Sequence, residues 1–243
     1  MKQSQVTKNL STAHSKGIFR GAFLFAAFSV IQPVTAYANI INDTYGAGAG
    51  SFELGNFVAN VPPDAMGLAV GSKTITGWTV GGPGDGVDWI KTPTYGAMNG
   101  LYSVDLVHQT SSSIATAIPT ISGAVYDLSF GVASVLNQFN TGLVTAGSLV
   151  NQSFTTTRSG SFATQTFDPF SYQFTAAGTS TTITFFGTNQ NGGTTYGPVM
   201  DNVSVNYVSG PTSSIPEPSS LALMLIGLGA AITRKPQKQR KAK

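Results

Sequence analysis

Val125-Tyr126-Asp127-Leu128-Ser129-Phe130-Gly131-Val132 alternates bulky apolar residues with smaller or polar ones. Successive side chains of a strand point to opposite faces, so Tyr126, Leu128, Phe130 and Val132 share one face, which must be buried. The same period of two recurs at Thr74 to Val80, Leu101 to Val107 and Ser113 to Ile118. Strands are also predicted at Ser51 to Phe57, Val87 to Ile90, Ser148 to Thr156, Phe167 to Ala176, Thr181 to Phe186 and Val199 to Val208. Glycine-rich turns separate them, most plainly Gly81-Gly82-Pro83-Gly84-Asp85-Gly86. Val144 to Val150 is short, apolar and Gly-interrupted, and its period is ambiguous. Helical periodicity is nearly absent from this part of the chain. About ten strands, each with one apolar face, bury those faces by stacking two antiparallel sheets, so the expected fold is all-β, an antiparallel β-sandwich with a jelly roll as its leading architecture. No internal repeat points to a solenoid or propeller.

Working outward, both ends have a different character. Lys2, Lys8, Lys16 and Arg20 precede the apolar stretch Gly21 to Ile31, Pro33 interrupts it, and Ala36-Tyr37-Ala38 supplies a small-x-small site. This is the layout of a signal peptide, with signal peptidase cutting after Ala38. At the other end Pro216-Glu217-Pro218 leads into the apolar run Leu221 to Ile232 and a basic block of Arg234, Lys235, Lys238, Arg240, Lys241 and Lys243. As a helix, Leu221 to Thr233 rises about 20 Å, short for a durable span and suited to transient retention in the inner membrane. The expected organisation is a signal peptide over 1–38, a sandwich over 39–209, a linker over 210–218 and an apolar helix with its basic tail over 219–243.

With the ends set aside, the charge inverts. The whole chain is formally +3, yet only Lys73, Lys91 and Arg158 remain in the body against nine acids, a balance of −6. An acidic body argues against nucleic acid, because phosphate binding needs a basic surface. The chain has no cysteine, which removes thiol nucleophiles and thiolate metal sites.

The order of Pro-Glu-Pro, apolar helix and basic block resembles the PEP-CTERM sorting signal of exported bacterial proteins. That resemblance implies recognition by a membrane-embedded exosortase, cleavage near Pro216, Glu217 and Pro218, and delivery to the cell surface or extracellular matrix of a Gram-negative bacterium. The body carries a second resemblance, over about 155 residues. Gly50-Ser51-Phe52-Glu53-Leu54-Gly55, Gly77-Trp78-Thr79-Val80, Val87-Asp88-Trp89-Ile90, Asn99 to Leu106, Tyr126 to Phe130 and Gly197 to Val205 occur in the order of the choice-of-anchor C family. That family is similar to plant cell-wall proteins with galactose-binding-like sandwiches, and it implies fold and placement better than ligand. Ala49-Gly50 stands where the family has Asn-Gly.

Among residues that carry chemistry, Trp89 beside Asp88 is the leading candidate, because sugar rings stack their C–H faces on aromatic rings while carboxylates bind hydroxyls. Tyr95 and Tyr102 would extend that platform, whereas Trp78, at strand spacing from Val80, reads as core. Convergence of Trp89, Tyr95 and Asp88 on one exposed concave face would distinguish a polysaccharide-binding domain from a purely structural or adhesive one. Glu53, Asp105, Asp201 and Asn202 are the oxygen donors nominated for a structural Ca²⁺, against the simpler reading that Asp201 and Asn202 satisfy backbone donors where the last strand begins. His108 is the only histidine beyond the signal peptide. On a regular strand it faces away from Ser103 and Asp105, so a local Ser-His-Asp triad fails, and no catalytic residue is assigned. Asp85 and Asp88 flank the glycine cluster and would be the acid and base of a hydrolase, but a Gly-Asp-Gly turn uses its Asp for local backbone bonding.

Overall fold

The computed structural model describes residues 39–61, 63–134, 139–156, 160–188 and 196–211. The expected signal peptide with Ala36 and Ala38, and the sorting segment with Pro216, Glu217 and Pro218, lie outside the described residues. Among the described residues no helix is long and apolar enough to cross a membrane.

Eleven strands follow in chain order: β1 (Ala65–Leu68), β2 (Thr79–Gly81), β3 (Val87–Lys91), β4 (Tyr102–Asp105), β5 (Ser113–Pro119), β6 (Val125–Ala133), β7 (Asn140–Ala146), β8 (Leu149–Thr156), β9 (Asp168–Thr175), β10 (Ser180–Thr188) and β11 (Val199–Ser209). They form a six-stranded sheet in the order β1-β3-β4-β11-β6-β9 and a five-stranded sheet in the order β2-β5-β10-β7-β8. All pairings between named strands are antiparallel. The protein is thus an antiparallel β-sandwich. Tyr126, Leu128, Phe130 and Val132 all enter the core, where Phe130 meets Phe185 of the other sheet with ring centroids 4.9 Å apart in an edge-to-face arrangement.

Several local expectations are corrected. Ser51 to Phe57 is not a strand. Ala49–Ser51 forms a 3-10 turn, and Phe52, with φ of 60°, turns its fully buried ring into the core against Trp78. A side chain on Gly50 would collide with the carbonyl of Val203, 2.2 Å from the Cβ position, so glycine is required there. Of Thr74 to Val80 only Thr79 and Val80 belong to a strand, β2; Ile75 makes an isolated bridge to Gly55, and Trp78 buries its ring and donates Nε1–H to the Ala49 carbonyl at 2.8 Å. The ambiguous Val144 to Val150 is the tip of the β7–β8 hairpin, turned at Gly147 with φ of 52°.

One short helix escapes the sequence reading. Helix α1 (Ile40–Tyr45) spans six residues, too few for a helical period to show. Asn39 begins it, its Oδ1 accepting from the Ile41 and Val205 amides while its Nδ2 donates to the Val203 carbonyl. The first residue after the expected signal cleavage is thus bonded to β11.

The six-stranded sheet has a second face that matters more for function. Register places Gly67, Asp88, Asp105, Val199 and Ala133 side by side across five strands. The neighbouring row runs Ala65, Ile90 and Ser103. This outer face is not simply solvated: Ala65, Ile90, Ala133 and Val199 are buried in a small cluster under Val61, Tyr95 and Phe167.

Candidate functional site

Strand alternation divides the residues nominated from sequence. Asp88 lies on β3 between two inward residues, Val87 and Trp89, and therefore projects to the outer face. Directly opposite it on β4 stands Asp105, three residues before His108. The chain beyond β4 turns back so that the His108 amide donates to the Gly86 carbonyl at 3.2 Å and Nδ1 meets Asp88 Oδ1 at 2.7 Å. Asp85 fixes this turn, its Oδ1 accepting from the Gln109 and Thr110 amides and from the Thr110 hydroxyl at 2.8 to 3.2 Å. The local bonding expected of a turn aspartate is corrected: these partners lie 24 and 25 residues further along the chain. Gly67 makes room for the imidazole: a Cβ there would lie 3.0 Å from His108 Cε1.

The Asp88–His108 pair is open to solvent, with 26% of the histidine side chain and 16% of the aspartate exposed. Burial raises the Asp88 carboxyl above its usual range, opposed by the attraction and hydrogen bond of His108. With Nδ1 held by Asp88, Nε2 is left as the ring nitrogen available to an outside group. Tyr95 lies on the same side of the sheet. Its ring packs edge-on against Phe162 at 5.5 Å, and its hydroxyl is raised by burial and then by Tyr196, Asp88, Asp105 and Asp64. Asp64 in turn accepts a hydrogen bond from Thr94 Oγ1, one residue before Tyr95.

Trp89 and Tyr102 are elsewhere. Both point to the inner face, where Trp89 is 1% exposed, donates Nε1–H to the Phe52 carbonyl at 3.2 Å and packs on Phe57 and Tyr102 at 5.2 and 5.0 Å. A ring so enclosed cannot stack on a sugar, so Trp89, Tyr95 and Asp88 do not converge on one face as expected; of the four residues only Asp88 and Tyr95 share the outer face, where His108 joins them. Adjacent residues on a strand face opposite ways, and a platform of all four would draw on both faces.

The nominated calcium ligands are also reassigned. Asp105 Oδ1 accepts from the Val107 and Gly197 amides at 3.0 and 2.9 Å, and burial pushes its carboxyl up to about 8. Asp201 Oδ2 accepts from the Met98 and Asn99 amides at 2.7 and 2.9 Å, and burial raises it to about 7. Glu53 Oε1 accepts from the Leu101 and Tyr102 amides at 2.8 and 2.9 Å. Asn202, with φ of 55°, accepts from Asn99 Nδ2. These oxygens organise the 98–102 and 197 loops; of the simpler reading, Asp201 does accept from the Asn202 amide on the last strand, whereas Asn202 accepts from a side-chain amide and not a backbone donor. Among the described residues no three of His, Asp or Glu gather to hold a metal ion. Ser103 is likewise occupied, its hydroxyl donating to the Gly96 carbonyl at 2.8 Å, and His108 pairs with Asp88 instead of Asp105.

The sequence could show neither the Asp88–His108 pair nor the role of Gly67, because the contact depends on the register of β3 against β4. His108, the one histidine after position 38, is the only local signal.

The model of a family described as "Protein of unknown function (DUF642)" matches residues 48–206. The chain belongs to the DUF642 family. The matched segment holds every residue of the outer-face site, and the PEP-CTERM protein-sorting motif follows it at residues 214–235. In this DUF642 chain the motif implies exosortase-processed export to the surface of a Gram-negative bacterium. No curated protein matches the chain.

Among solved structures, the chain is similar to a cyclase from Fischerella sp. TAU, at 13% identity over 73% of this chain and 100% of the other, with a TM-score of 0.49. It is also similar to a family 35 carbohydrate binding module from Clostridium thermocellum, at 15% identity over 48% and 86% of the two chains, TM-score 0.37. TmCBM61 in complex with beta-1,4-galactotriose gives 17% identity over 53% and 86%, TM-score 0.35.

Proposed function

We propose that this DUF642 protein is exported, processed by an exosortase and binds polysaccharide through the outer face of its six-stranded sheet, without catalysing a reaction. The observation that carries the reading is the solvent-open Asp88–His108 pair beside Tyr95. Asp88 accepts from a sugar hydroxyl, His108 Nε2 offers a second polar contact, and the tyrosine ring supplies an apolar surface for C–H groups. Asp105, the nearest carboxyl with a raised pKa, is enclosed and bonded to two backbone amides, and Asp85 is committed to its turn. Glycoside hydrolysis needs two carboxyls facing one bond, and this arrangement presents Asp88 alone.

A polysaccharide pull-down or glycan array of the exported protein tests the site. His108→Ala and Asp88→Asn are expected to weaken binding about tenfold each, with thermal melts checking that the variants fold, since Asp88 is largely buried on β3. Binding that survives both substitutions would sink this assignment, and no binding to any glycan would favour a structural or adhesive matrix component. Mass spectrometry of the protein from its host checks processing: a mature N-terminus at Asn39 and a C-terminus near Pro216 to Pro218 are expected, and an intact Lys243 on surface-exposed protein contradicts the sorting step.

A further inference from the structure

We infer that the outer-face site takes a neutral polysaccharide and that Gln165 is a second polar reader of it, through a pair of adjacent hydroxyls. The inference rests on the polysaccharide-binding reading and adds a substrate class and a specificity residue to it. Gln165 follows the 3-10 turn Phe162–Thr164, whose Phe162 packs on Tyr95 and takes the Gly96 amide on its carbonyl at 2.7 Å. Gln165 thus lies against the segment that carries Tyr95, with its Cβ 2.9 Å and its Oε1 3.4 Å from where a side chain on Gly96 would begin. Both polar atoms of its amide, Oε1 and Nε2, are buried without a hydrogen-bond partner. Buried side-chain amides are almost always satisfied, because leaving donor and acceptor bare forfeits the hydrogen bonds they made with water.

An amide offers an acceptor and a donor side by side, the pattern presented by two neighbouring sugar hydroxyls. Swinging the side chain toward a ligand at Tyr95 satisfies both atoms, so the free protein holds the group in its less favourable state and binding relieves it. A site that reads hydroxyls with otherwise unpaired groups also rejects ligands lacking them.

Charge sets the class of glycan. Around Tyr95 stand Asp64, Asp88 and Asp105, with His108 as the basic partner. The two lysines of the described residues are remote from this face: Lys91 Nζ lies over the Phe57 and Tyr102 rings, and Lys73 lines a groove with Trp78 and Ala115. A uronate chain would meet the carboxyl groups of Asp88 and Asp64 here, enclosed Asp105 with its carboxyl pushed up to about 8 adding little charge, and find no lysine or arginine among the described residues to pair with.

The test uses exported protein from the host, with β-1,4-galactan as neutral probe and polygalacturonate as anionic probe. Wild type is expected to bind galactan more tightly. Gln165→Met, close in shape and apolar, is expected to bind it about tenfold more weakly while melting at the same or a higher temperature, since two unpaired polar atoms are gone. Equal galactan binding by wild type and Q165M, with His108→Ala defective, overturns the role of Gln165 and leaves the site standing. Preference for polygalacturonate overturns the neutral class. Absence of binding to either probe or to any other polysaccharide overturns this inference together with the function it rests on. Should Q165M not fold, Q165E keeps the side-chain shape while losing the donor, and carries the same comparison.

Discussion

Trp89→Ala is expected to destabilise the protein by about 3–5 kcal/mol, the range for truncating a large aromatic residue in a packed core. The indole is 1% exposed and touches Phe57 and Tyr102, so its loss leaves a cavity that two aromatic neighbours cannot collapse to fill. It also removes the donor to the Phe52 carbonyl, leaving a buried acceptor unpaired. Chemical denaturation of wild type, W89A and Trp89→Phe measures this. The Phe variant keeps most of the packing and loses only the N–H, so it should fall between the other two. Near-wild-type stability in W89A together with lost glycan binding would return Trp89 to the binding surface. If the variant instead unfolds, its failure to bind carries no information about the ligand, and His108→Ala is the sounder control.

Stability is expected to fall as pH rises from about 5 to 8.5, opposite to the trend of a protein held by exposed salt bridges. Asp105 and Asp201 carry carboxyls raised by burial to about 8 and about 7, against an ordinary value of 3.8. Between those limits the folded chain holds protons that the unfolded chain has released, so raising pH favours unfolding. The contribution is complete below pH 4 and is lost as pH passes through 7 to 8. Asp88 is raised as well and acts in the same direction, while the lowered, exposed Asp85 matters only in stronger acid. A tenfold change in proton affinity between the folded and unfolded chain corresponds to about 1.4 kcal/mol, so the two buried groups together should depress the melting temperature by roughly 10 °C or more across this window. Asp105→Asn keeps an acceptor for the Val107 and Gly197 amides and has no proton to lose. Thermal melts at pH 5 and 8.5 should therefore show a flatter profile in D105N, and parallel profiles for wild type and variant would refute the assignment to Asp105.

The same two carboxyls show why the candidate site is only partly legible in the sequence. Asp105 and Asp201 look like metal ligands in the sequence because Ca²⁺ takes carboxylate oxygens. Each takes one amide close in sequence, Val107 or Asn202, and others far along the chain, Gly197 for Asp105 and Met98 and Asn99 for Asp201. Asp88 is legible as a polar group of the outer face, but its sequence neighbour Trp89 is not its neighbour in function. Gln165 carries no sequence signal at all, since an ordinary glutamine is distinguished only by the absence of partners once it is buried.

The two-residue alternation along the chain was enough for the sandwich and for the shared facing of Tyr126, Leu128, Phe130 and Val132, and the linear order of residues near the C-terminus for the sorting motif over 214–235. Those are properties of local order: a two-residue period follows from the pleat, and a sorting signal is a linear string of charge and apolarity. Only the tertiary structure decided that Asp88 meets His108, that Trp89 is core, and that the outer face of the sheet is partly roofed by Tyr95 and Phe167. Those outcomes depend on the register between strands and on which loops fold over them. Both are fixed by the sum of many long-range contacts, which no short stretch of this chain contains.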